Sequence, residues 1–386
     1  MNSLRQSIRR LLTPVEPLTA GVYHYIAPQE DPRNYRLHLR LEADGHGVLI
    51  VNASTILHLN QTAAEYAYHL IKQTPDQTIG ETVASRYRTS RERALEDYQR
   101  FKEQIETLIE TPDLDPVTFL DLDRQSPYTG EITAPYRLDC ALTYALAPGQ
   151  AVESAPTRRV ERELTTQEWR QVIDTAWNAG IPHIVFTGGE PTLREDLIDL
   201  IHHAEDNGQV TGLLTDGLRL ADRSYLDRLL QTGLDHLLII LRPAEETAWK
   251  ALENALNSDL FTAVHLTLTP ENRESTLALL SRLAGIGVHA VSLSASTASI
   301  EDELETVRDY AASLDLDLIW ELPVPYSALN PVTLEVETGE LPQGAGRAWL
   351  YVEPDGDVLP AQGVNRVLGN LFQTPWDQIW ESVTRD

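Results

Sequence analysis

Sulfur is nearly absent from this chain of 386 residues, which contains one cysteine, Cys140, and one methionine, Met1. A disulfide needs two thiols, so no such bond can form within the chain. A cluster held by several cysteine sulfurs is excluded for the same reason. Cys140 lies inside a predicted strand, which indicates a small buried hydrophobic side chain rather than a reactive thiol.

Positive charge and long apolar runs are also scarce. The chain has 58 acidic and 31 basic residues, which gives a net charge of −27. Such a surface repels phosphate backbones and anionic membrane surfaces, whereas basic or neutral peptides remain compatible with it. No segment approaches the ~20 apolar residues that cross a bilayer, and the first ten residues lack the apolar core of a secretory signal. We therefore expect a cytoplasmic protein with neither nucleic acid nor a membrane as partner.

Sequence patterns divide the chain into five segments. Residues 1–34 contain four prolines and no strand or helix period, which predicts an irregular lead-in. Residues 35–112 predict three short strands and three helices, followed by a linker rich in Asp and Pro at residues 113–135. Residues 136–325 alternate strands with helices, and residues 326–386 form a small C-terminal tail.

The alternation in residues 136–325 indicates an α/β fold with a parallel sheet. About six strand–helix units, rather than eight, predict a partial (β/α)6 TIM-like barrel. Functional groups in such folds lie at the carboxyl ends of the strands. The predicted strands are residues 136–144, 183–187, 210–215, 236–241, 263–267, 290–293 and 316–320.

A glycine pair follows the second of these strands, in the segment Phe186-Thr-Gly-Gly-Glu-Pro-Thr-Leu193. Two glycines allow a close backbone approach, and a proline is suited to the first turn of a helix. A tight turn would explain the pair alone, but GGEP-T-L followed by an acidic amphipathic helix resembles the radical S-adenosylmethionine (radical SAM) enzymes. In that family the motif holds the amino group of the cofactor.

The resemblance to radical SAM enzymes extends to the ends of other strands. Thr215-Asp216-Gly217 is similar to the family's T-N-G step, with Asp in place of Asn, and Asn272 follows the fifth strand. After the fourth strand the family's S-L-D is replaced by Ile240-Leu-Arg242. The resemblance implies a cofactor pocket formed by Gly188, Gly189, Glu190, Pro191, Thr215, Asp216 and Asn272.

The iron–sulfur ligands of the family are missing. Radical SAM enzymes place the pattern C-x3-C-x2-C on the loop after the first strand, and Leu142-Thr-Tyr-Ala145 matches the residues before it. The three ligand positions then fall on Leu146, Gln150 and Glu153, none of which is a thiolate. We therefore expect no iron–sulfur cluster and no radical chemistry, while a residual binding of S-adenosylmethionine stays open.

The C-terminal tail repeats this loss. Its segment Tyr351-Val-Glu-Pro-Asp-Gly-Asp-Val-Leu-Pro-Ala361 resembles the SPASM or twitch region of peptide-modifying radical enzymes. In those enzymes a cysteine after the proline holds an auxiliary cluster, and the corresponding residue here is Ala361. The resemblance thus implies a SPASM-like tail without clusters.

Residues 35–112 predict a winged-helix-like α+β domain. Its segment Leu57-His-Leu-Asn-Gln-Thr-Ala-Ala-Glu65 resembles the PqqD-like domains, also called RiPP recognition elements, which bind the leader segment of a precursor peptide. A small α+β module used for dimerisation is the alternative. Three capping boxes, beginning at Thr62, Thr78 and Thr89, mark the predicted helix starts.

These features predict a radical SAM-like pseudoenzyme. It would bind a precursor peptide through residues 35–112, together with a paired radical SAM maturase, in the biosynthesis of a modified peptide. The alternative is an enzyme that reuses the barrel for non-radical chemistry, with Glu190 or Asp216 as acid or base. A metal held by His183, Glu190 and Asp216 and a purely structural dimer are further hypotheses.

Overall fold

A computed structural model describes residues 15–28, 30–52, 55–111, 132–146, 160, 162–296, 300–319 and 344–384. The chain divides into two compact units, residues 1–129 and residues 130–386. Most of the predicted linker, the positions Gln150 and Glu153, and the start of the predicted tail lie outside the described residues.

The first unit contains a four-stranded antiparallel sheet in the order β1-β2-β3-β4. The irregular lead-in predicted before residue 35 is wrong for its last part, because β1 pairs along its whole length with β2. The prolines of this segment predicted irregular structure, but Pro17 and Pro28 flank β1 and do not interrupt its hydrogen bonds to β2. The strands are Gly21–Ile26 (β1), Arg36–Leu41 (β2), Gly47–Val51 (β3) and Thr55–Leu59 (β4).

Three helices follow the sheet, as predicted. The first two begin before their predicted caps, Thr62 and Thr78, and the third begins just after Thr89, at Arg91. The side chain of Asn60 accepts a hydrogen bond from the Ala63 amide at 3.0 Å, and Ser90 accepts one from the Arg93 amide at 3.2 Å. Asn60 and Ser90 stand outside the helices they cap, so neighbouring threonines are displaced from that role. The helices are Gln61–Ile71 (α1), Asp76–Arg86 (α2) and Arg91–Glu110 (α3).

The core of this unit lies between one face of the sheet and the helices. Alternate strand residues such as Leu37, Leu39 and Leu49 are buried there, as the two-residue period requires. Tyr66 and Ile105 pack against them from α1 and α3.

The second unit is built on a ten-stranded sheet in the order β11-β10-β9-β8-β7-β6-β5-β12-β13-β14. All seven predicted barrel strands are present, with ends within two residues of prediction, and neighbouring strands from β5 to β11 are parallel. These strands are Arg137–Thr143 (β5), His183–Gly188 (β6), Val210–Thr215 (β7), His236–Ile240 (β8), Phe261–Leu268 (β9), Ala290–Ala295 (β10) and Asp317–Leu318 (β11).

The C-terminal tail extends the parallel sheet. Strand β12 pairs in parallel with β5, and its four residues are buried. An apolar segment that covers the edge of β5 removes a row of unpaired backbone groups, which is the physical reason for this arrangement. The tail strands are Trp349–Val352 (β12), Asp357–Leu359 (β13) and Gly369–Asn370 (β14).

Helices connect the parallel strands and end at left-handed glycines where the sequence predicted them, for example Gly180 and Gly208. The predicted capping box of Thr165 with Glu168 is present. Across the described residues, every helix is too short or too polar to cross a membrane. The helices are Thr166–Ala179 (α4), Leu197–Asn207 (α5), Arg223–Leu230 (α6), Glu246–Leu256 (α7), Arg273–Gly285 (α8), Glu301–Ser313 (α9) and Trp376–Thr384 (α10).

Candidate functional site at the carboxyl ends of the strands

The glycine pair lies where β6 leaves the sheet and presses against the end of β5. The Gly189 amide donates a hydrogen bond to the Thr143 carbonyl, and the Glu190 amide donates one to the Ala145 carbonyl, both at 2.8 Å. A Cβ atom at Gly188 would lie 2.2 Å from the Thr143 oxygen, and one at Gly189 would lie 2.2 Å from the Ala145 oxygen. The pair therefore holds the loop after β5 by direct backbone contact.

Glu190 is the centre of a buried hydrogen-bond network. One carboxylate oxygen accepts from the Thr192 amide at 2.9 Å and from the Thr215 hydroxyl at 2.7 Å, and the Thr192 hydroxyl also donates to it. The other oxygen accepts from the Asp216 amide at 2.6 Å. The network joins the turn after β6 to the end of β7, and Pro191 begins a short 3-10 turn within it.

Burial and the neighbouring Asp216 carboxylate raise the pKa of Glu190 to about 7. A raised pKa can mark an acid–base catalyst, but the hydrogen bonds of Glu190 all run to backbone amides and hydroxyls of its own surroundings. This geometry supports a structural role for Glu190 and gives no support to the acid–base alternative.

Asp216 is bound on both carboxylate oxygens. One oxygen accepts from the Leu218 amide at 3.0 Å, and the other lies 2.8 Å from a guanidinium nitrogen of Arg242. The Asp216 side chain is 7% exposed and that of Arg242 is 18% exposed. Arg242 also contacts Glu245 at 3.1 Å. An ion pair thus connects the ends of β7 and β8.

Asn272 closes the turn between β9 and α8. Its side-chain oxygen accepts from the Thr269 amide at 2.8 Å, and its side-chain nitrogen donates to the Thr267 carbonyl at 2.9 Å. Both ends of the amide are therefore used within the turn. The residues predicted to form the cofactor pocket do lie at the carboxyl ends of β6, β7 and β9, but Glu190, Asp216 and Asn272 direct their polar atoms to partners within the protein.

The hypothesis of a metal held by His183, Glu190 and Asp216 is wrong. His183 begins β6, whereas Glu190 follows the end of that strand. The imidazole of His183 instead packs against His236, with ring centroids 4.9 Å apart, and burial lowers the pKa of His183. His183 and Glu190 are therefore separated by the length of β6.

A second acidic group lies on the turn between β12 and β13. Carboxylate oxygens of Glu353, Asp355 and Asp357 lie within 4.8 Å of one another. Each carboxylate accepts a hydrogen bond: Glu353 from the Tyr144 hydroxyl at 2.9 Å, Asp355 from the Asp357 backbone amide at 3.2 Å, and Asp357 from the Asn370 side-chain amide at 2.8 Å. The Tyr144–Glu353 bond joins the end of β5 to the tail, and sequence patterns did not indicate it.

The residues at the positions of the cluster ligands do not fit an iron–sulfur cluster. Leu146, at the first position, packs in an apolar cluster with Ala141, Tyr144, Tyr351 and Leu359. Its side chain has no donor atom for iron. Ala361, at the auxiliary position, is 3% exposed and has only a methyl group.

Cys140 lies inside β5, and its thiol is fully buried. Burial, with a contribution from Asp139, raises the pKa of the thiol well above its ordinary value. We therefore expect no reaction of the folded protein with Ellman's reagent and release of about one equivalent after denaturation in guanidinium chloride. Rapid reaction of the native protein would contradict the buried position of Cys140.

Part of the chain is similar to a known protein family. The model of the radical SAM superfamily matches residues 140–246. This part of the chain is therefore similar to radical SAM proteins, and the structure confirms the predicted α/β fold with a largely parallel sheet.

Two PqqA peptide cyclases are similar to parts of this chain. The PqqA peptide cyclase of Bradyrhizobium diazoefficiens is 41% identical over 88 residues, which are 23% of this chain and 23% of that protein. The PqqA peptide cyclase of Rhodopseudomonas palustris is 29% identical over 256 residues, which are 57% of this chain and 66% of that protein. The matched part of this chain thus covers less than two thirds of each of these relatives.

Solved structures agree with the fold. Streptococcus suis SuiB bound to S-adenosylmethionine has a TM-score of 0.59 at 15% identity, and SuiB bound to the precursor peptide SuiA has a TM-score of 0.58 at 16% identity. Each comparison covers 92% of this chain and 88% of SuiB.

Proposed function

We propose that this chain is a radical SAM-like pseudoenzyme that binds a precursor peptide and assists a paired radical SAM maturase. The observation that carries the proposal is the packing of Leu146 at the first cluster position. The partly buried Leu146 packs against Ala141, Tyr144, Tyr351 and Leu359, which makes this part of the loop a hydrophobic contact between β5 and the tail. Without a cluster there is no electron source for cleavage of S-adenosylmethionine, so the barrel would act through its shape and surface.

The N-terminal unit is the proposed binding site for the peptide. Among the described strands, β4 pairs on one side only, with β3, so its other edge is available for an added strand. Addition of an extended peptide to a sheet edge is a recurring mode of recognition. The PqqD-like resemblance of Leu57–Glu65 supports the same role for this unit.

A cleft in the same unit supplies side-chain contacts. Its volume is about 370 Å³, and its walls come from β2, the connection between α1 and α2, and α3. Tyr35 and Leu70 give it an apolar part, and its charged lining residues are Lys102, Asp76 and Glu106. A cleft of this size accommodates one or two side chains of a bound peptide.

Charge distribution supports the barrel as the surface for a partner protein. The first unit, residues 1–129, contains 18 acidic and 14 basic residues, whereas the second unit, residues 130–386, contains 40 and 17. The negative field therefore originates mainly in the second unit, and it would steer a partner with a basic surface. A paired maturase would bring the cluster that this chain lacks.

Peptide binding is tested by calorimetry with the full chain and synthetic copies of the short peptides encoded next to its gene. We expect Lys102→Glu to weaken binding at least tenfold, about 1.4 kcal/mol, because it removes the cation that would pair with an acidic side chain of the peptide. Lys250→Glu, on the exposed surface of α7, is the matched control and should bind like the unchanged protein.

If none of these peptides gave a binding heat in direct or competition calorimetry, the peptide-binding proposal would be wrong. Equal losses in the two lysine variants would instead show that net charge, rather than the cleft, determines affinity.

A further inference from the structure

At the strand-end site implied by the superfamily, the Asp216 carboxylate is not free to receive the cationic groups of S-adenosylmethionine, and the reason is specific to this chain. Besides its α-carboxylate the cofactor carries an α-ammonium and a sulfonium group, for which an unneutralised carboxylate would be a favourable partner. The carboxylate at the end of β7 belongs to Asp216, and Arg242 already neutralises it at 2.8 Å.

The ion pair between Asp216 and Arg242 lies in a poorly solvated position, with 7% and 18% of the two side chains exposed. A buried carboxylate needs a cationic or hydrogen-bonding partner, because removal of one member of such a pair leaves an uncompensated charge. The guanidinium comes from the segment after β8, so it reaches the neighbouring strand end from within the chain. Glu245 holds the other side of the guanidinium at 3.1 Å.

The sequence change is consistent with this arrangement. Asp216 stands where the T-N-G step has a neutral amide, and Arg242 stands where the S-L-D step has an acid. The neutral and acidic residues of the family pattern have therefore been replaced by an acidic and a cationic residue that pair with each other.

We propose that the Arg242 guanidinium is an internal substitute for a cationic ligand. It closes the strand-end site at Asp216, and its removal opens that site to a ligand bearing an ammonium or sulfonium group. The neighbouring Glu190 network keeps the Asp216 backbone in place, since the Asp216 amide donates to Glu190. The proposal concerns the barrel alone and does not depend on peptide binding by the first unit.

The test uses the full chain, with S-adenosylmethionine as the probe and calorimetry and thermal shift as readouts. We expect the unchanged protein to show no saturable binding, and Arg242→Ala to bind the probe at least tenfold more tightly. Methylguanidinium should raise the melting temperature of Arg242→Ala by filling the vacated position, and it should not affect the unchanged protein. Arg273→Ala, which breaks the exposed pair with Glu303, is the matched control and should gain no binding.

A second pair of variants keeps the test decisive if Arg242→Ala does not fold. Arg242→Gln keeps much of the side-chain volume without the charge and should gain binding, whereas Asp216→Asn combined with Arg242→Gln should not, because the carboxylate is gone. Folded Arg242 variants that bind neither S-adenosylmethionine nor methylguanidinium would overturn the proposal. Tight binding of S-adenosylmethionine by the unchanged protein would overturn it as well. Peptide affinity should stay constant in all these variants, so failure here is separable from failure of the proposed function.

Discussion

Replacement of Gly189 by alanine is expected to lower the free energy of unfolding by about 3 kcal/mol or more, the range of severe core substitutions. The new Cβ would lie 2.2 Å from the Ala145 carbonyl oxygen and 3.0 Å from its carbonyl carbon. These are backbone atoms of the segment after β5, so relief requires displacement of that segment. Chemical denaturation followed by circular dichroism measures the change.

Gly285 provides the control for this substitution. An added Cβ there meets no atom within 4 Å, and the residue ends α8 without a positive φ. Gly285→Ala should therefore leave stability unchanged or raise it by up to about 1 kcal/mol, as expected for glycine in a helix. A Gly189→Ala protein as stable as Gly285→Ala would show that the segment after β5 is not held by the glycine pair.

Glu190→Ala is expected to lower the free energy of unfolding by about 3 kcal/mol or more, because it leaves buried hydrogen-bond donors without an acceptor. The amides of Thr192 and Asp216 both donate to this carboxylate and cannot rotate away as a side chain could. Loss of the network should also loosen the turn that carries Asp216. Hydrogen exchange of the Thr192 and Asp216 amides reports this local effect directly.

Glu195→Ala tests whether the loss is specific. Glu195 is an exposed acid in the same connection between β6 and α5, and its removal should change stability by less than about 0.5 kcal/mol. Equal stability of the two variants would mean that the carboxylate of Glu190 contributes nothing to the fold.

Sequence reasoning found the barrel strands because each is a short apolar run ended by a turn signal. It failed at β1, where flanking prolines obscured the alternation of Gly21–Ile26. It also placed the start of α1 two residues too late. Asn60 and Thr62 are both favourable N-cap residues, and only the backbone path decides between them.

The strand-end positions of the candidate residues could be predicted from the sequence, but the hydrogen bonds and ion pairs among them could not. Motif order placed Glu190 and Asp216 at neighbouring strand ends, because parallel strands end on the same side of the sheet. The partner of Asp216 was not predictable, since Arg242 lies 26 residues away and the sequence alone indicated only an altered pocket. The Tyr144–Glu353 bond spans 209 residues and has no local pattern.

Iron and sulfide content after anaerobic reconstitution is the most direct test of the account. The solitary thiol is buried in β5, and the first ligand position packs in an apolar cluster, so we predict colourless protein with far less than one cluster per chain. Brown protein with about four iron and four sulfide ions per chain, together with reductive cleavage of S-adenosylmethionine, would contradict the account.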